Sequence, residues 1–184
     1  MEVIMIKWVV SLLAISGAVQ SNTINIHRSD VDYYRGQIVI DYRLTLPVNP
    51  QKVKNLLNDY DHFDQISRLI TRSHVRHEKN NKIILYQELR PCLLGFCYQL
   101  SKEQQLFTNV NGSVSAVFTP KQRYFDSGFE QWHISSDEQG TSIEYTVNVT
   151  PSFSIPPFIG TWLLRKFIDS EINTVAKNIL EKCA

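Results

Sequence analysis

The sequence predicts an α+β domain in which an antiparallel sheet wraps around a long C-terminal helix. Several segments alternate apolar and polar residues and are separated by short turns, which is typical of half-buried strands. A proline-led helix signal follows the first of these segments, and an apolar stripe at helical spacing occupies the C-terminal stretch. Neighbouring strands joined by short turns pair antiparallel. A sheet curved around a helix leaves space between them, where we expect a cavity lined by apolar side chains.

The N-terminus has the pattern of a secretory signal peptide. Lys7 precedes an apolar run from Trp8 to Ile15, and small residues at positions 16 and 18 predict cleavage after Ala18. The run is shorter than the ~20 residues that span a bilayer. We therefore expect an exported protein, either periplasmic or secreted. The predicted boundaries are a signal peptide over 1–18, an irregular segment over 19–35 and one domain over 36–183.

Length and charge restrict the class of protein. The chain has 184 residues and a formal net charge of +1, without a run of Lys or Arg. One domain is the natural expectation at this length, and the electrostatic footprint of a nucleic-acid binder is missing. The histidines are scattered without metal-ligand spacing. In regular strands, either His77 or His133 could face the cavity as an acid-base group, but we favour the alternative of a hydrogen-bonded polar residue on the sheet. We predict no metal, no cofactor and no catalytic residue, and we expect a monomer.

The first strand and the first helix have clear local signals. Apolar and polar residues alternate in GQIVIDYRLTLP, residues 36–47. Asn49 then suits the N-cap of a helix and Pro50 its first position. A second short helix is predicted in DHFDQI. The apolar stripe of the first helix consists of Val53, Leu56, Leu57 and Tyr60.

Six further strands and a long helix complete the domain. The strands are predicted in LITRSHVRH, IILYQELR, FCYQLSKEQQLF, SVSAVFT, RYFDSGFEQWHI and TSIEYTVNV. RYFDSGFEQWHI also places Asp126 and Glu130 on one face, too far apart for a carboxylate pair of the glycosidase type. The last helix runs from Pro156 to Lys182, and its stripe consists of Leu164, Ile168, Ile172, Val175 and Ile179.

This order of elements resembles the helix-grip fold of the START-like superfamily, also called SRPBCC or birch-pollen-allergen-like. The closest resemblance is to the polyketide cyclase and lipid-transport branch, which includes coenzyme Q-binding START domains. It is carried by LPVNPQKVKNLLNDYDHFDQI, by GFEQWHI followed by GTSIEYTVNVTP, and by PPFIGTWLLRKFIDSEI. The resemblance implies a seven-stranded antiparallel sheet with a hydrophobic ligand held between the sheet and the C-terminal helix.

We therefore expect a binding protein or carrier for a hydrophobic small molecule, such as a lipid or an isoprenoid quinone. One alternative is a cyclase or dehydratase acting on a polyketide-like substrate, which needs a polar pair within hydrogen-bond reach inside the cavity. Another is a protein-interaction module whose cavity has collapsed. The ligand-binding residues predicted are Ile40, Tyr42, Leu44, Tyr98, Tyr145, Leu164, Ile168, Ile172 and Val175, with the tyrosines as candidates to orient a headgroup.

The start of the last helix has more apolar residues than one stripe requires. Phe158 and Trp162 lie about 120° to 160° around the helix from Leu164, so they point away from the cavity. One hypothesis is transient contact with a membrane, with Arg165 and Lys166 near anionic headgroups. The alternatives are packing on the first strand or first helix, or contact with a protein partner. The residues predicted for membrane or partner contact are Phe153, Ile155, Phe158 and Trp162.

Cys92 and Cys97 bracket the four residues LLGF. A hairpin loop of this length would place the two Cα atoms about 4.5 to 5.5 Å apart, within the range of a disulfide. A metal site would need further ligands nearby, and redox centres usually have the closer spacing C-x-x-C. Because disulfides persist outside the cytosol, we predict a structural disulfide. Cys183 is then either a free thiol or an intermolecular one.

Overall fold

A computed structural model describes residues 23–79, 82–93, 95–119, 122–153, 155 and 160–184. The predicted signal peptide and Phe158 therefore lie outside the described residues.

Eight strands within the described residues form one antiparallel sheet in the order β1-β2-β10-β9-β8-β7-β4-β3. A separate hairpin pairs two short strands, β5 and β6. The α+β class and the antiparallel sheet are thus confirmed. The strands are β1 Asn25–Tyr34, β2 Gln37–Leu46, β3 Ile70–Lys79, β4 Lys82–Leu89, β5 Cys92–Leu93, β6 Phe96–Cys97, β7 Leu100–Thr108, β8 Val114–Phe118, β9 Phe125–Asp137 and β10 Gly140–Pro151.

In the described part of the chain, two α-helices and one 3-10 helix accompany the sheet. Helix α1 spans Pro50–Leu57, a 3-10 helix spans Tyr60–Gln65, and helix α2 spans Gly160–Cys183. Asn49 is the N-cap of α1, as predicted, because its Oδ1 accepts a hydrogen bond from the Gln51 N–H at 2.8 Å. The predicted start of α2 at Pro156 lies outside the described residues. None of the described helices has the length and apolar character needed to cross a membrane.

The segment 19–35 was predicted to be irregular, and this is wrong for β1. β1 pairs with β2 through nine residue pairs. In the turn between them, Arg35 and Gly36 both have positive φ, 50° and 81°. Positive φ at both central residues is typical of the tight hairpin turns that suit the twist of paired strands. β1 is an edge strand, and only Val31 is fully buried in it. Its sequence therefore alternates weakly, and the sheet has eight strands instead of seven.

Two apolar clusters occupy the concave face of the sheet. The first packs α1 against the C-terminal half of α2, and it includes Val53, Leu57 and Ile179. The second contains Tyr42, Phe118, Phe125 and Val149, and the partly buried Leu89, Leu100, Leu164 and Ile168 pack against it. We call the end of the molecule beyond this second cluster the hairpin end, because the β5–β6 hairpin follows directly from Leu89.

Candidate functional site

A cavity of about 310 Å³ lies between the concave face of the sheet and helix α2. Its wall is mostly apolar and includes side chains from β2, β4, β9, β10, the 3-10 helix and α2. This volume is at the lower end of the range typical of small-molecule sites. The cavity exists because a twisted sheet and a single helix do not fill the space between them.

Seven of the nine predicted ligand-binding residues line this cavity. Their contact with a ligand stays a prediction, since the structure contains none. The seven are Ile40, Tyr42, Leu44, Tyr145, Ile168, Ile172 and Val175.

The other two predicted residues, Tyr98 and Leu164, do not line the cavity. Tyr98 is 58% exposed and follows the β5–β6 hairpin, where its N–H donates to the Pro91 carbonyl at 3.0 Å. The predicted strand FCYQLSKEQQLF is broken at this point, because Cys97 pairs with Cys92 and β7 begins only at Leu100. Leu164 lies one turn before Ile168 on α2 and packs against the second apolar cluster instead.

The cavity wall contains a buried ion pair that the sequence did not reveal. The Lys102 Nζ donates to Glu130 Oε1 at 2.5 Å, and each residue has less than a tenth of its surface exposed. Gln104 Nε2 donates to the other carboxylate oxygen of Glu130 at 3.4 Å. A buried charge pair is expensive to desolvate and is tolerated only when hydrogen bonds compensate it. The pair therefore marks the polar part of an otherwise apolar cavity.

Further polar side chains of the wall differ in whether they have partners. Gln87 Nε2 donates to Ser73 Oγ at 3.2 Å, and that hydroxyl donates to the Tyr60 carbonyl at 2.6 Å. By contrast, Gln104 Oε1 and Trp132 Nε1 are buried without a hydrogen-bond partner among the described residues. Such atoms are uncommon in folded proteins. These two atoms, an acceptor and a donor, thus have hydrogen-bonding capacity that the described part of the protein does not use.

The two tyrosines of the cavity wall are in different states. The Tyr42 hydroxyl donates to Asp169 Oδ1 and lies 2.9 Å from Ser29 Oγ, so it joins β2 to α2 beside β1. Tyr145 has no side-chain hydrogen bond within the described part of the chain. Burial raises the Tyr145 pKa well above its usual value, and the negative charge of Glu130 raises it further. The Tyr145 hydroxyl therefore stays protonated and can donate to a ligand, whereas the Tyr42 hydroxyl is already engaged.

Glu171 attaches the segment before β3 to helix α2. Its buried carboxylate accepts from Ser67 Oγ at 2.7 Å, from Arg68 Nε at 3.2 Å and from the Leu69 N–H at 3.3 Å. Ser67, Leu69 and Glu171 all line the cavity. This anchoring holds one side of the cavity closed.

Lys102, Gln104 and Glu130 were missed although a signal was present. Glu130 continues the inward alternation of Trp132 and Ile134 on β9, so a charged residue lay on the apolar face of a predicted strand. Asp126 was predicted to share that face, and this is wrong. Thr150 pairs with Ser127 and Pro151 with Phe125, so Asp126 is an extra, bulged residue of β9 and is exposed while Glu130 is buried.

The histidines whose side chains the structure describes do not form a second site. His133 lies between the inward-facing Trp132 and Ile134 and does not line the cavity. His77 has no described side chain. In the described part of the chain, no three His, Cys, Asp or Glu side chains are grouped so that they could hold a metal ion.

The predicted disulfide is confirmed. Cys92 and Cys97 are bonded and face each other across the β5–β6 hairpin, with their Cα atoms 4.0 Å apart. Cys183 is a buried free thiol. Burial raises the Cys183 pKa, although the nearby Lys52 charge opposes this effect.

The residues predicted for membrane or partner contact are partly described. Trp162 is 67% exposed, Phe153 is exposed and Ile155 is half-buried. Trp162 therefore points away from the cavity, as expected from helical geometry. What these residues contact stays a prediction.

Comparisons with known proteins agree with this architecture. No protein-family model matches the sequence, and no curated protein matches it significantly. Solved structures do match, at low sequence identity. The Zhui aromatase/cyclase from a Streptomyces species has a TM-score of 0.61 at 9% identity, covering 80% of this chain and 93% of that one. A START superfamily protein from Mycobacterium smegmatis has a TM-score of 0.59 at 9% identity, covering 80% and 96%.

A third similar structure is a STAR-related lipid transfer protein from Xanthomonas axonopodis. Its TM-score is 0.54 at 13% identity, with 82% of this chain and 98% of that fragment covered. Likeness at such identity establishes the fold and leaves the activity open. The chain has the helix-grip fold of the START-like superfamily.

Proposed function

We propose that this chain is an exported carrier that binds a compact hydrophobic molecule between its sheet and helix α2, without chemistry. The observation that carries the proposal is the apolar cavity of about 310 Å³. Apolar surface that a ligand buries there contributes roughly 25 cal/mol per Å². The lipid-transfer function named for the Xanthomonas structure is consistent with this proposal. Export is supported by the disulfide and by the predicted signal peptide over 1–18.

The cavity volume limits the size of the ligand. An engineered cavity of about 150 Å³ accommodates benzene, so 310 Å³ suits roughly two rings or a short acyl chain. A two-chain lipid or a complete isoprenoid quinone would need a wider cavity. We therefore propose a ligand with one compact apolar body and a small polar group. That group would lie near the Lys102–Glu130 pair and the Tyr145 hydroxyl, where the wall is polar.

Co-purification is the direct test of this function. The protein is produced in an exporting host, measured by native mass spectrometry, then denatured and extracted with organic solvent. A carrier yields a near-stoichiometric hydrophobic molecule. The substitution Ile172→Trp projects a larger side chain into the cavity and should abolish the bound mass. The control is Lys177→Trp, on an exposed position of the same helix. Absence of ligand in the unmodified protein, even after it is offered lipid extracts, would refute the carrier proposal.

A second candidate is a cyclase or dehydratase, and one observation favours it. The Lys102 ammonium and the Glu130 carboxylate form a polar pair within hydrogen-bond reach inside the cavity. A neutral Tyr145 beside them could supply a proton donor. The aromatase/cyclase named for the Streptomyces structure shows that this fold can hold such chemistry. The remaining alternative, a module with a collapsed cavity, agrees poorly with the open interior.

Glu130→Gln separates the carrier from the enzyme. An enzyme that uses this carboxylate loses turnover by roughly 10²-fold or more while it retains binding. A carrier releases its ligand chemically unchanged, whether or not Glu130 is replaced. The measurement is mass spectrometry of the offered compound before and after incubation with each protein.

A further inference from the structure

We propose that the hairpin end of the molecule is a docking surface for an anionic lipid bilayer. The proposal rests on the carrier function above and adds the kind of surface that the carrier contacts. It extends the predicted contact surface at Trp162 and Phe153 to three further segments, which are the β1–β2 turn, the β5–β6 hairpin and residues 122–124 before β9. The placement of these segments at one end follows from their contacts.

The β1–β2 turn lies beside the start of α2. Ser29 Oγ donates to Asp169 Oδ1 at 2.7 Å, and an Arg165 guanidinium nitrogen donates to the Val31 carbonyl at 3.4 Å. Two residues of strand advance about 6.6 Å, and four residues of helix rise about 6 Å. β1 and α2 therefore run side by side in opposite directions. Continuing β1 to Tyr34 brings the turn level with the first residues of α2.

The β5–β6 hairpin projects from the same end. Leu89 and Leu100 pair with each other at the ends of β4 and β7, directly before and after the hairpin segment. Both pack against the same apolar cluster as Leu164 and Ile168, which belong to the first turns of α2. The disulfide then closes the hairpin on itself. Its Phe96 is 71% exposed, and Tyr98 follows it toward solvent.

The segment before β9 and the end of β10 complete this surface. The Ser152 N–H donates to the Tyr124 carbonyl at 3.0 Å, which places exposed Phe153 next to that segment. Phe125 directly follows Tyr124 and belongs to the second apolar cluster, and Tyr124 packs against that cluster.

Aromatic rings at this end are covered by basic groups. The Arg35 guanidinium lies 5.0 Å from the centroid of the Tyr34 ring, and Tyr34 is 66% exposed. The Lys166 ammonium lies 4.2 Å from the centroid of the Trp162 ring. A third pair joins Arg123 to Tyr124 at 5.2 Å. Rings with an apolar body beside a cation suit the interface between lipid headgroups and acyl chains.

The charge of the hairpin end selects an anionic surface. Exposed Arg90 and Arg165 add to the three cations above and make five, while the exposed acidic side chains on the adjoining parts of β1 and β9 are Asp30, Asp32 and Asp126. The whole chain has a net charge of only +1, so this excess is local. Each basic residue near an anionic membrane contributes about 1 kcal/mol of attraction, which corresponds to about five-fold in affinity. A neutral protein groove offers no such complementarity.

The test is vesicle binding by the full exported chain with its disulfide formed. Vesicles of phosphatidylcholine mixed with phosphatidylglycerol are compared with vesicles of phosphatidylcholine alone, by co-sedimentation. We expect binding to the anionic vesicles, weakened by added salt. Lys166→Gln should reduce it about five-fold, and Trp162→Ser roughly ten-fold or more. The matched controls are Lys177→Gln, further along α2, and Val110→Ser, an exposed apolar residue in the β7–β8 turn at the opposite end of the sheet.

Several outcomes would overturn the proposal. These are no binding, equal binding to both vesicle types, or equal losses in the controls and the test variants. Self-association that Trp162→Ser abolishes, without vesicle binding, would assign the surface to a second copy of the chain. Circular dichroism confirms that each variant is folded, and Lys166→Gln is a surface change that folding tolerates. Ligand extraction from the same samples separates the two proposals. A chain that retains its ligand but does not bind vesicles refutes the docking proposal and leaves the carrier proposal intact.

Discussion

The Lys102–Glu130 pair gives the sharpest test of the cavity wall, through the substitution Lys102→Met. The two side chains are 10% and 11% exposed and meet at 2.5 Å. Removing the ammonium leaves the Glu130 carboxylate buried, with Gln104 Nε2 at 3.4 Å as its remaining donor. Breaking a buried pair in this way costs about 3 to 5 kcal/mol, because one charge remains uncompensated. The free energy of unfolding of a natural domain is only about 5 to 15 kcal/mol, so this loss would be a large part of it.

The assay is unfolding in urea, monitored by circular dichroism. With a slope of about 2 kcal/mol per molar urea, a loss of about 4 kcal/mol lowers the midpoint by about 2 M. The double variant Lys102→Met, Glu130→Gln removes both charges and should recover most of the loss. Arg28→Gln is the control, because its pair with Asp41 is exposed and contributes about 0 to 1 kcal/mol.

Two results would refute this reasoning. A loss below about 1 kcal/mol for Lys102→Met would mean that water reaches Glu130, so the pair would count as a surface pair. A double variant as unstable as the single one would assign the loss to packing of the Lys102 stem rather than to the orphaned charge.

Three further predictions concern other parts of the fold. Replacing Cys92 and Cys97 by Ser should lower the free energy of unfolding by about 2 kcal/mol, since the disulfide closes a short loop, and an unchanged thermal midpoint would contradict this. Because the Tyr145 pKa is raised, its stabilising contribution is complete below pH ~10 and is lost as the pH rises above that value. The free energy of unfolding, measured from pH 8 to 11, should therefore decline less steeply for Tyr145→Phe than for the unmodified chain. Gly128→Ala places a Cβ 2.4 Å from the Phe118 ring, so we expect a loss of about 1 to 3 kcal/mol by overpacking, and a neutral result would show that the ring can move.

The elements with local signals were predictable from the sequence. Asn49 as the N-cap and Pro50 as the first helical residue define the start of α1. The disulfide joins two cysteines that are separated by four residues and face each other across a hairpin, so its geometry follows from their spacing. The stripe on α2 repeats at helical spacing, and Ile168, Ile172 and Val175 of that stripe do line the cavity. In each case the residues that determine the feature are close together in the chain.

β1 and the polar part of the cavity wall depended on distant partners. β1 buries little of its own surface, so it becomes a strand because β2 and α2 offer hydrogen bonds to its backbone and to Ser29. The bulge at Asp126 in β9 changes which residues of that strand face inward. A strand alternates with a period of two, and one extra residue therefore reverses the faces before it.

The sequence by itself determined the class of the fold, the start of α1, the disulfide and the apolar character of the cavity. Each of these follows from propensity, capping or periodicity, which act over a few neighbouring residues. Only the tertiary structure decided that Lys102 meets Glu130 across β8, that Tyr42 is engaged by Asp169 while Tyr145 is not, and that Tyr98 lies outside the cavity. These outcomes depend on strand order, register and one bulge, and residues 28 or 127 positions apart meet only when the sheet has closed around the helix.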